Sequence, residues 1–326
     1  MTITFCAQLQ NTMDSKPFYE IDVSIVVPVY RSATILPHLV AKVKESFAAT
    51  SWRYELILVN DVSPDDSWAT IKKLAGEFDF VRGVSLTKNV GQHNATMAGL
   101  NTARGEIVVI MDDDLQHPPE AILALVAAIR SDHDVCYTRY ANRQHETWKK
   151  IGSWFNDRAA SVLLKKPPGL YLSSFKAMHR RIVDQVIRYD GPYAYIDGLI
   201  LDVTHNVDVV TIEHGARFAG EGNYNLRRSL SLWLKMATSF SVFPLRVATV
   251  LGLLLTALSF LAAAFAITQK LYHPELASGW ASLITTILLV GGIQTFCLGM
   301  LGEYLGRAYL KINRKSQFVI RETTND

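Results

Sequence analysis

The chain has 326 residues, 33 Lys+Arg against 30 Asp+Glu, 49% hydrophobic side chains and only 11 prolines. That apolar content excludes a disordered polymer, and no Gly-X-Y or heptad array suggests a fibre. A formal net charge of +3 lacks the basic bias of a nucleic-acid binder, so no nucleic-acid partner is expected.

Residues 1–20 form an N-terminal extension without a basic segment followed by a sustained apolar run, so they do not read as a secretory signal. Cys6, Cys136 and Cys297 are odd in number and scattered, which points to a reducing compartment and no disulfide framework. Four short β-branched runs then follow, at Ser24 to Tyr30, Tyr54 to Asn60, Val81 to Thr87 and Glu106 to Met111. Helical patterns separate them, and such alternation predicts a parallel sheet covered on both faces. Ser63-Pro64-Asp65-Asp66 reads as an N-cap with proline at the first helical position. Asp61 and the cluster Asp112-Asp113-Asp114 then fall at the carboxyl ends of the second and fourth strands, the edge at which open α/β sheets bind ligands. Asp112 and Asp114, two apart in extended chain, share a side, and hard oxygen donors of this kind suit Mg²⁺ or Mn²⁺ bridged to a diphosphate. A solvated turn and helix cap leading into Pro118-Pro119-Glu120 is the alternative for the same residues.

Further along, Leu226, Leu230, Trp233, Ala237 and Phe240 make one apolar helical stripe, with Arg227, Arg228 and Lys235 off it. That suits a juxtamembrane amphipathic helix over 225–242, touching lipid through Arg227, Arg228 and Trp233, or else a helix packed on the soluble part. Val247 to Thr268 is a 22-residue run without a charge, and Trp280 to Leu301 is similarly apolar, so 243–308 is expected to hold two transmembrane helices. From Leu226 onward there are 10 basic and 4 acidic residues, with Lys270 the one basic residue between the two runs. Both termini are therefore expected on the cytoplasmic side of an integral membrane protein, with 309–326 as a basic cytoplasmic tail. The Gly302-x-x-x-Gly306 spacing is compatible with close helix packing, including a homo-oligomer.

SIVVPVYR, LVNDVSPDDS, LTKNVGQHNATMAGL and IMDDDLQHPPE, in this order and spacing, resemble family 2 glycosyltransferases with the GT-A fold. With RFAGEGNYNLRRSLSLW, two apolar spans and LGMLGEYLGRAYLKINRKSQF behind them, the chain is similar to the polyprenyl-phosphate branch of that family, which includes bactoprenol glucosyltransferases and undecaprenyl-phosphate formamido-arabinose transferase. The resemblance implies an α/β, Rossmann-like, mostly parallel catalytic domain over 21–224. It also implies an inverting transfer of a sugar from a nucleoside-diphosphate sugar to a polyprenyl phosphate at a lipid bilayer, in a bacterial inner membrane. Pro28, Tyr30 and Asp61 match positions around base and ribose, Asp112 and Asp114 the metal-binding D-x-D, Gln116 a glutamine beside the diphosphate, and Arg217 an arginine that closes on phosphates.

Three departures from the family pattern stand out. Asn60-Asp61-Val62-Ser63 replaces D-D-G-S, so the turn geometry that glycine permits cannot be assumed there. Leu172-Ser173-Ser174-Phe175-Lys176-Ala177-Met178 replaces a segment with G-D-F-R-L-M, whose acid is often assigned as the base. Asp197 stands where relatives more often have arginine, as a relocated catalytic carboxylate, a hydrogen-bonding partner or a helix cap. The absence of Q-x-x-R-W argues against a processive polysaccharide synthase. An inactive, membrane-anchored nucleotide-sugar binding subunit remains the rival reading to an enzyme with Asp114, Asp197 and Arg217 as catalytic residues.

Overall fold

A computed structural model describes residues 19–140, 167, 170–191, 194–212, 243–272, 279–312 and 316–324. The expected alternation is present: β1 (Val23–Val29), α1 (Leu36–Phe47), β2 (Tyr54–Asn60), α2 (Ser67–Glu77), β3 (Val81–Leu86), α3 (Gln92–Thr102), β4 (Ile107–Ile110), α4 (Ala121–Arg130) and β5 (Val135–Tyr140). Then come β6 (Lys176–His179), α5 (Arg180–Val186), α6 (Ile196–Val203), β7 (Val207–Ile212), two long helices α7 (Phe243–Tyr272) and α8 (Trp280–Ile312), and β8 (Ile320–Thr323). One eight-stranded sheet has the order β7-β5-β6-β4-β1-β2-β3-β8.

The first four strands pair in parallel, and β5 pairs in parallel with β7. Strand β6 runs antiparallel to both β4 and β5, and β8 antiparallel to β3. β5 and β7 consequently point the same way as β4. One edge therefore collects the carboxyl ends of six strands and the starts of β6 and β8.

Alternation along the buried strands sends side chains to two cores. Ile25, Val27, Leu56 and Leu58 pack with Leu39, Val43, Ile71, Leu125 and Ile129 of α1, α2 and α4. Val26, Ile57 and Val59 pack on the other face with Met97, Leu100, Ile182 and Ile200 of α3, α5 and α6. Gly99 lets α3 approach β1 closely, since a Cβ there would lie 2.3 Å from Val26 Cγ1.

Two expectations change. The helix after β2 begins at Ser67, past the proline, with no side-chain cap from Asp66; the Ser63 hydroxyl accepts from Arg31 N at 2.6 Å and donates to Asp65. The carboxyl-terminal segment is more than a basic tail: α8 continues to Ile312 and β8 adds the sheet's last strand. Thr324 N donates to Gly83 O at 2.9 Å and Gly83 N to Thr324 Oγ1 at 2.7 Å.

Helices α7 and α8 contain 30 and 33 residues. Among the described residues no helix is long and apolar enough to cross a membrane; several side chains of both helices lie outside that set, and the charge-free run from Val247 to Thr268 is a property of the complete sequence. Large apolar side chains are open to the surroundings along both helices, among them Leu253, Phe260, Leu283 and Leu298.

Candidate active site

The carboxyl edge is built on strained turns. Among the described residues, four other than glycine have positive φ, and three of them, Arg31 (61°), Val62 (53°) and Leu115 (58°), follow β1, β2 and β4. A β-branched residue in this region is rare, and such strain clusters at functional sites. Val62 thus keeps the backbone that a glycine would adopt, because the turn is held from both sides. Asn60 Oδ1 accepts from Ser63 N at 3.1 Å before it, and Asn89 Nδ2 donates to Asp61 O at 2.9 Å across it.

Asp61 is buried, and its carboxylate accepts from Val90 N at 2.7 Å and Gly91 N at 2.9 Å. Burial pushes its carboxyl above the usual range, and those two N–H groups offset only part of the effect. Asp61 thereby anchors the start of α3, where Gly91 has φ +83°. Tyr30, by contrast, is 46% exposed, with the Arg31 guanidinium 5.5 Å from its ring centroid. Pro28 is buried within β1, opposite Val59. Its missing N–H faces the β4 side, where pairing has already ended at Val26, so a proline is tolerated in an otherwise central strand.

The three consecutive aspartates have three environments. Asp112 Oδ1 accepts from Gln92 Nε2 at 2.6 Å; its Oδ2 accepts from Ser174 Oγ at 2.7 Å and lies 3.1 Å from His117 Nε2. Burial pushes the Asp112 carboxyl up, but contact with His117, the Ser174 hydroxyl and the Lys176 ammonium together hold it below the usual range. Asp113 turns to β1, accepting from Ser32 Oγ at 2.5 Å and Tyr30 N at 3.2 Å. Burial, reinforced by Asp112 and Asp114 and opposed by those two donors, pushes it up to about 6. Asp114 accepts from Gln116 N at 3.1 Å, which ties the two family-matched residues together.

A second cluster lies beside the first. Asp197, in the first turn of α6, is buried and accepts from the Lys176 ammonium at the start of β6 and from Tyr137 Oη at 3.0 Å. Its carboxylate is therefore committed to a buried ion pair. His93 packs edge-on to Tyr195 at 5.3 Å, and burial, with the nearby Lys176, holds its imidazole below the usual range against the pull of Asp197 and Asp112.

Among the described residues no group of three or more His, Cys, Asp or Glu side chains is arranged to hold a metal ion. A carboxylate pair short of a protein cage fits the way Mg²⁺ is bound, through one or two carboxylates completed by substrate phosphates and water. Asp114 and Gln116 are hydrogen-bonded to each other, and Asp112 two residues earlier is held by Gln92, Ser174 and His117. Asp61 holds the start of the helix that carries Gln92, Tyr30 N donates to Asp113, and Pro28 lies behind in β1. Arg217, Arg227, Arg228 and Trp233 lie outside the described residues. Sequence reading missed Gln92, Ser174 and Lys176 as site residues, and it gave no separate role to Asp113, named only within the acidic cluster, or to His117. Of the three missed, Ser174 and Lys176 carried a signal, as the replacements within the segment where an acid was absent.

Residues 24–187 match the family model for glycosyl transferase family 2, and residues 243–308 match the GtrB C-terminal hairpin. The undecaprenyl-phosphate 4-deoxy-4-formamido-L-arabinose transferase of Proteus mirabilis is 31% identical over 92% of this chain and 93% of its own length. The bactoprenol glucosyl transferase of Shigella phage SfII is 30% identical over 92% of this chain and 98% of its own. In fold, the chain is similar to glucosyl-3-phosphoglycerate synthase from Mycobacterium tuberculosis, solved with Mn²⁺, UDP and phosphoglyceric acid, at TM-score 0.51 and 16% identity over 69% of this chain and 82% of that one. A GT-A-type mixed sheet with its carboxylates at one edge, followed by the matching hairpin, makes this chain a member of glycosyl transferase family 2.

Proposed function

We propose that the chain transfers a glycosyl group from a nucleoside-diphosphate sugar to a polyprenyl phosphate at the cytoplasmic face of a membrane. One topological observation carries this reading. The chain leaves the sheet for the hairpin after Ile212, at the carboxyl edge, and re-enters it at Ile320, which pairs with Leu86 at that same edge. Both covalent links between sheet and hairpin thus start from the outer strands at the same end of the sheet as Asp61, Asp112 and Asp114, and residues 313–319 span about 25 Å at most. The hairpin is tethered on the site's side of the sheet.

Membrane insertion of α7 and α8 is part of the proposal. At about 1.5 Å per residue, 30 and 33 residues exceed a hydrocarbon core of about 30 Å. The open apolar side chains along them would be costly in water and suit lipid. A soluble donor and a lipid acceptor meet only at that interface.

The chemistry follows from the acceptor. An oxygen of the acceptor phosphate attacks the anomeric carbon, the bond from that carbon to the diphosphate breaks, and the nucleoside diphosphate leaves with the electron pair, inverting the centre. A phosphate monoester has a second pKa of about 6 and arrives largely as a dianion, so no side chain has to remove a proton. Held by Asp112 and Asp114, Mg²⁺ or Mn²⁺ would offset charge on the departing diphosphate. Gln92 donates to the Asp112 carboxylate, and Asp61 holds the start of α3 in place. Arg217 is proposed to neutralise phosphate by its fork of donors.

The test is turnover by the full chain in lipid vesicles with radiolabelled sugar nucleotides, offered as a donor panel with polyprenyl phosphate. Label appearing in a lipid phosphate-linked product supports the reading. Donor binding without product from any member of the panel would instead establish an anchored nucleotide-sugar binding subunit.

A further inference from the structure

The Asp112 carboxylate is gripped by parts of the chain distant in sequence. Ser174, in the lead-in to β6, donates to Oδ2 at 2.7 Å. His117 Nε2 lies 3.1 Å from the same oxygen and 3.1 Å from Ser174 Oγ. With its proton on Nε2, His117 donates toward the carboxylate and leaves Nδ1 to accept from Tyr140 Oη at 2.5 Å. The ring is buried and packs against Phe175 at 5.0 Å. Hydroxyl, imidazole and phenol thus form one hydrogen-bonded line from the end of β5 to Asp112.

Residue 174 stands where the G-D-F-R-L-M pattern has its acid. In this arrangement a carboxylate there would face the Asp112 oxygen across a hydrogen-bond distance, and two carboxylates so close cannot both be ionised. A hydroxyl donates to Asp112 without adding charge.

We infer that Ser174, backed by His117 and Tyr140, is a positioning residue that holds Asp112 in its metal- and diphosphate-binding orientation, in place of an acid acting on the acceptor. The inference rests on the proposed function, since it takes Asp112 as part of a site for a metal shared with a diphosphate. Ser174 touches Asp112 and acts through it. Outer hydrogen-bond partners of metal-binding residues alter metal affinity by about 10- to 100-fold when removed.

The experiment is Mn²⁺ binding, followed by electron paramagnetic resonance of the free ion, to the detergent-solubilised full chain with UDP, GDP, CDP, ADP or dTDP in turn. Steady-state kinetics on the same variants accompany it. Ser174→Ala is expected to weaken Mn²⁺ binding about 10-fold or more and to raise the donor KM more than it lowers kcat, whereas Ser174→Thr, which keeps the hydroxyl, restores most of both. In an Asp112→Asn background the alanine variant should have less than about a twofold further effect, because its target is gone. Unchanged Mn²⁺ binding in Ser174→Ala, or a full additional effect in the Asp112→Asn background, overturns the inference alone. Faster turnover by Ser174→Asp than by the unaltered chain also overturns it, by showing that an acid at this place serves the reaction. No Mn²⁺ binding by the unaltered chain with any of the five nucleotides overturns the metal reading of the site and the inference with it, which keeps the two failures apart.

Discussion

Two buried ion pairs sit at opposite edges of one sheet, and only one of them adjoins a site. At the amino edge, Glu55 accepts from Arg82 Nη1 at 2.9 Å, Ser24 Oγ at 2.6 Å and Arg104 N at 2.8 Å. Arg82 Nη1 also donates to Thr102 O at 3.2 Å. That pair is closed on the backbone entering β4 and stitches β1, β2 and β3 together. At the carboxyl edge, Lys176 and Asp197 are no less buried, yet their charges reach outward: the ammonium helps lower the Asp112 carboxyl, and both members act on His93. The same device is structural where backbone donors complete it and functional where titratable neighbours share its field.

The largest effect should come from the carboxylates themselves. Asp114→Asn is expected to lower turnover by at least about 10²-fold, and Asp112→Asn somewhat less, with the protein still folded by circular dichroism. Near-normal turnover in the double variant would remove these residues from the chemistry.

Breaking each ion pair sharpens the comparison next. Arg82→Met and Lys176→Met each strand a buried carboxylate, at a cost of about 3–5 kcal/mol in denaturant unfolding. Only the second should also raise the donor KM when both are assayed below their melting temperatures. Asp197→Asn is expected to slow transfer roughly tenfold at saturating acceptor, without the recovery at higher pH expected for loss of a general base. Alkaline rescue would make Asp197 the base after all.

Smaller effects test the strained rim. Val62→Gly should stabilise the fold by about 1 kcal/mol, because a valine in the left-handed region carries a cost that glycine lacks. A loss of stability would mean that the side chain earns its strained place by packing. Asp65 supplies a pH test. Desolvation raises its carboxyl, but donors from Ser63, Ser67 and Ala33 outweigh this and bring it down to about 2. A depressed carboxylate stabilises the fold above its unfolded value, near pH 4, and that contribution disappears as pH falls through about 2. Asp65→Asn should therefore be less stable than the unaltered chain at pH 6, by under about 1 kcal/mol because the group is exposed, with the gap closing toward pH 2. A gap that persists at pH 2 would assign the effect to geometry instead of charge.

Much of this was legible in the order of residues. The runs around Val23–Val29, Tyr54–Asn60, Val81–Leu86 and Ile107–Ile110 are so apolar and β-branched that only buried strands accommodate them, and their ends placed Asp61 and Asp112 to Asp114 at the right edge. The start of α2 was misread because a serine cap signal is local, whereas the Ser63 hydroxyl answers to Arg31 in the turn after β1. β8 was missed for a similar reason: Ile320–Thr323 is short and exposed, and its pairing with β3 depends on a sheet edge more than 200 residues earlier.

The sequence by itself determined the layered α/β class, the acidic edge and the apolar hairpin, since burial period, turn chemistry and charge-free length act over neighbours in the chain. Tertiary structure alone decided that β6 enters between β4 and β5, so that Ser174 and Lys176 arrive beside Asp112 while Asp197 closes on Lys176. Contacts of this kind join segments 60 or so residues apart, as in Ser174 to Asp112 and Tyr137 to Asp197. No periodicity encodes them, because a hydrogen bond or ion pair is specified by where two backbones cross and only then by which side chains they carry.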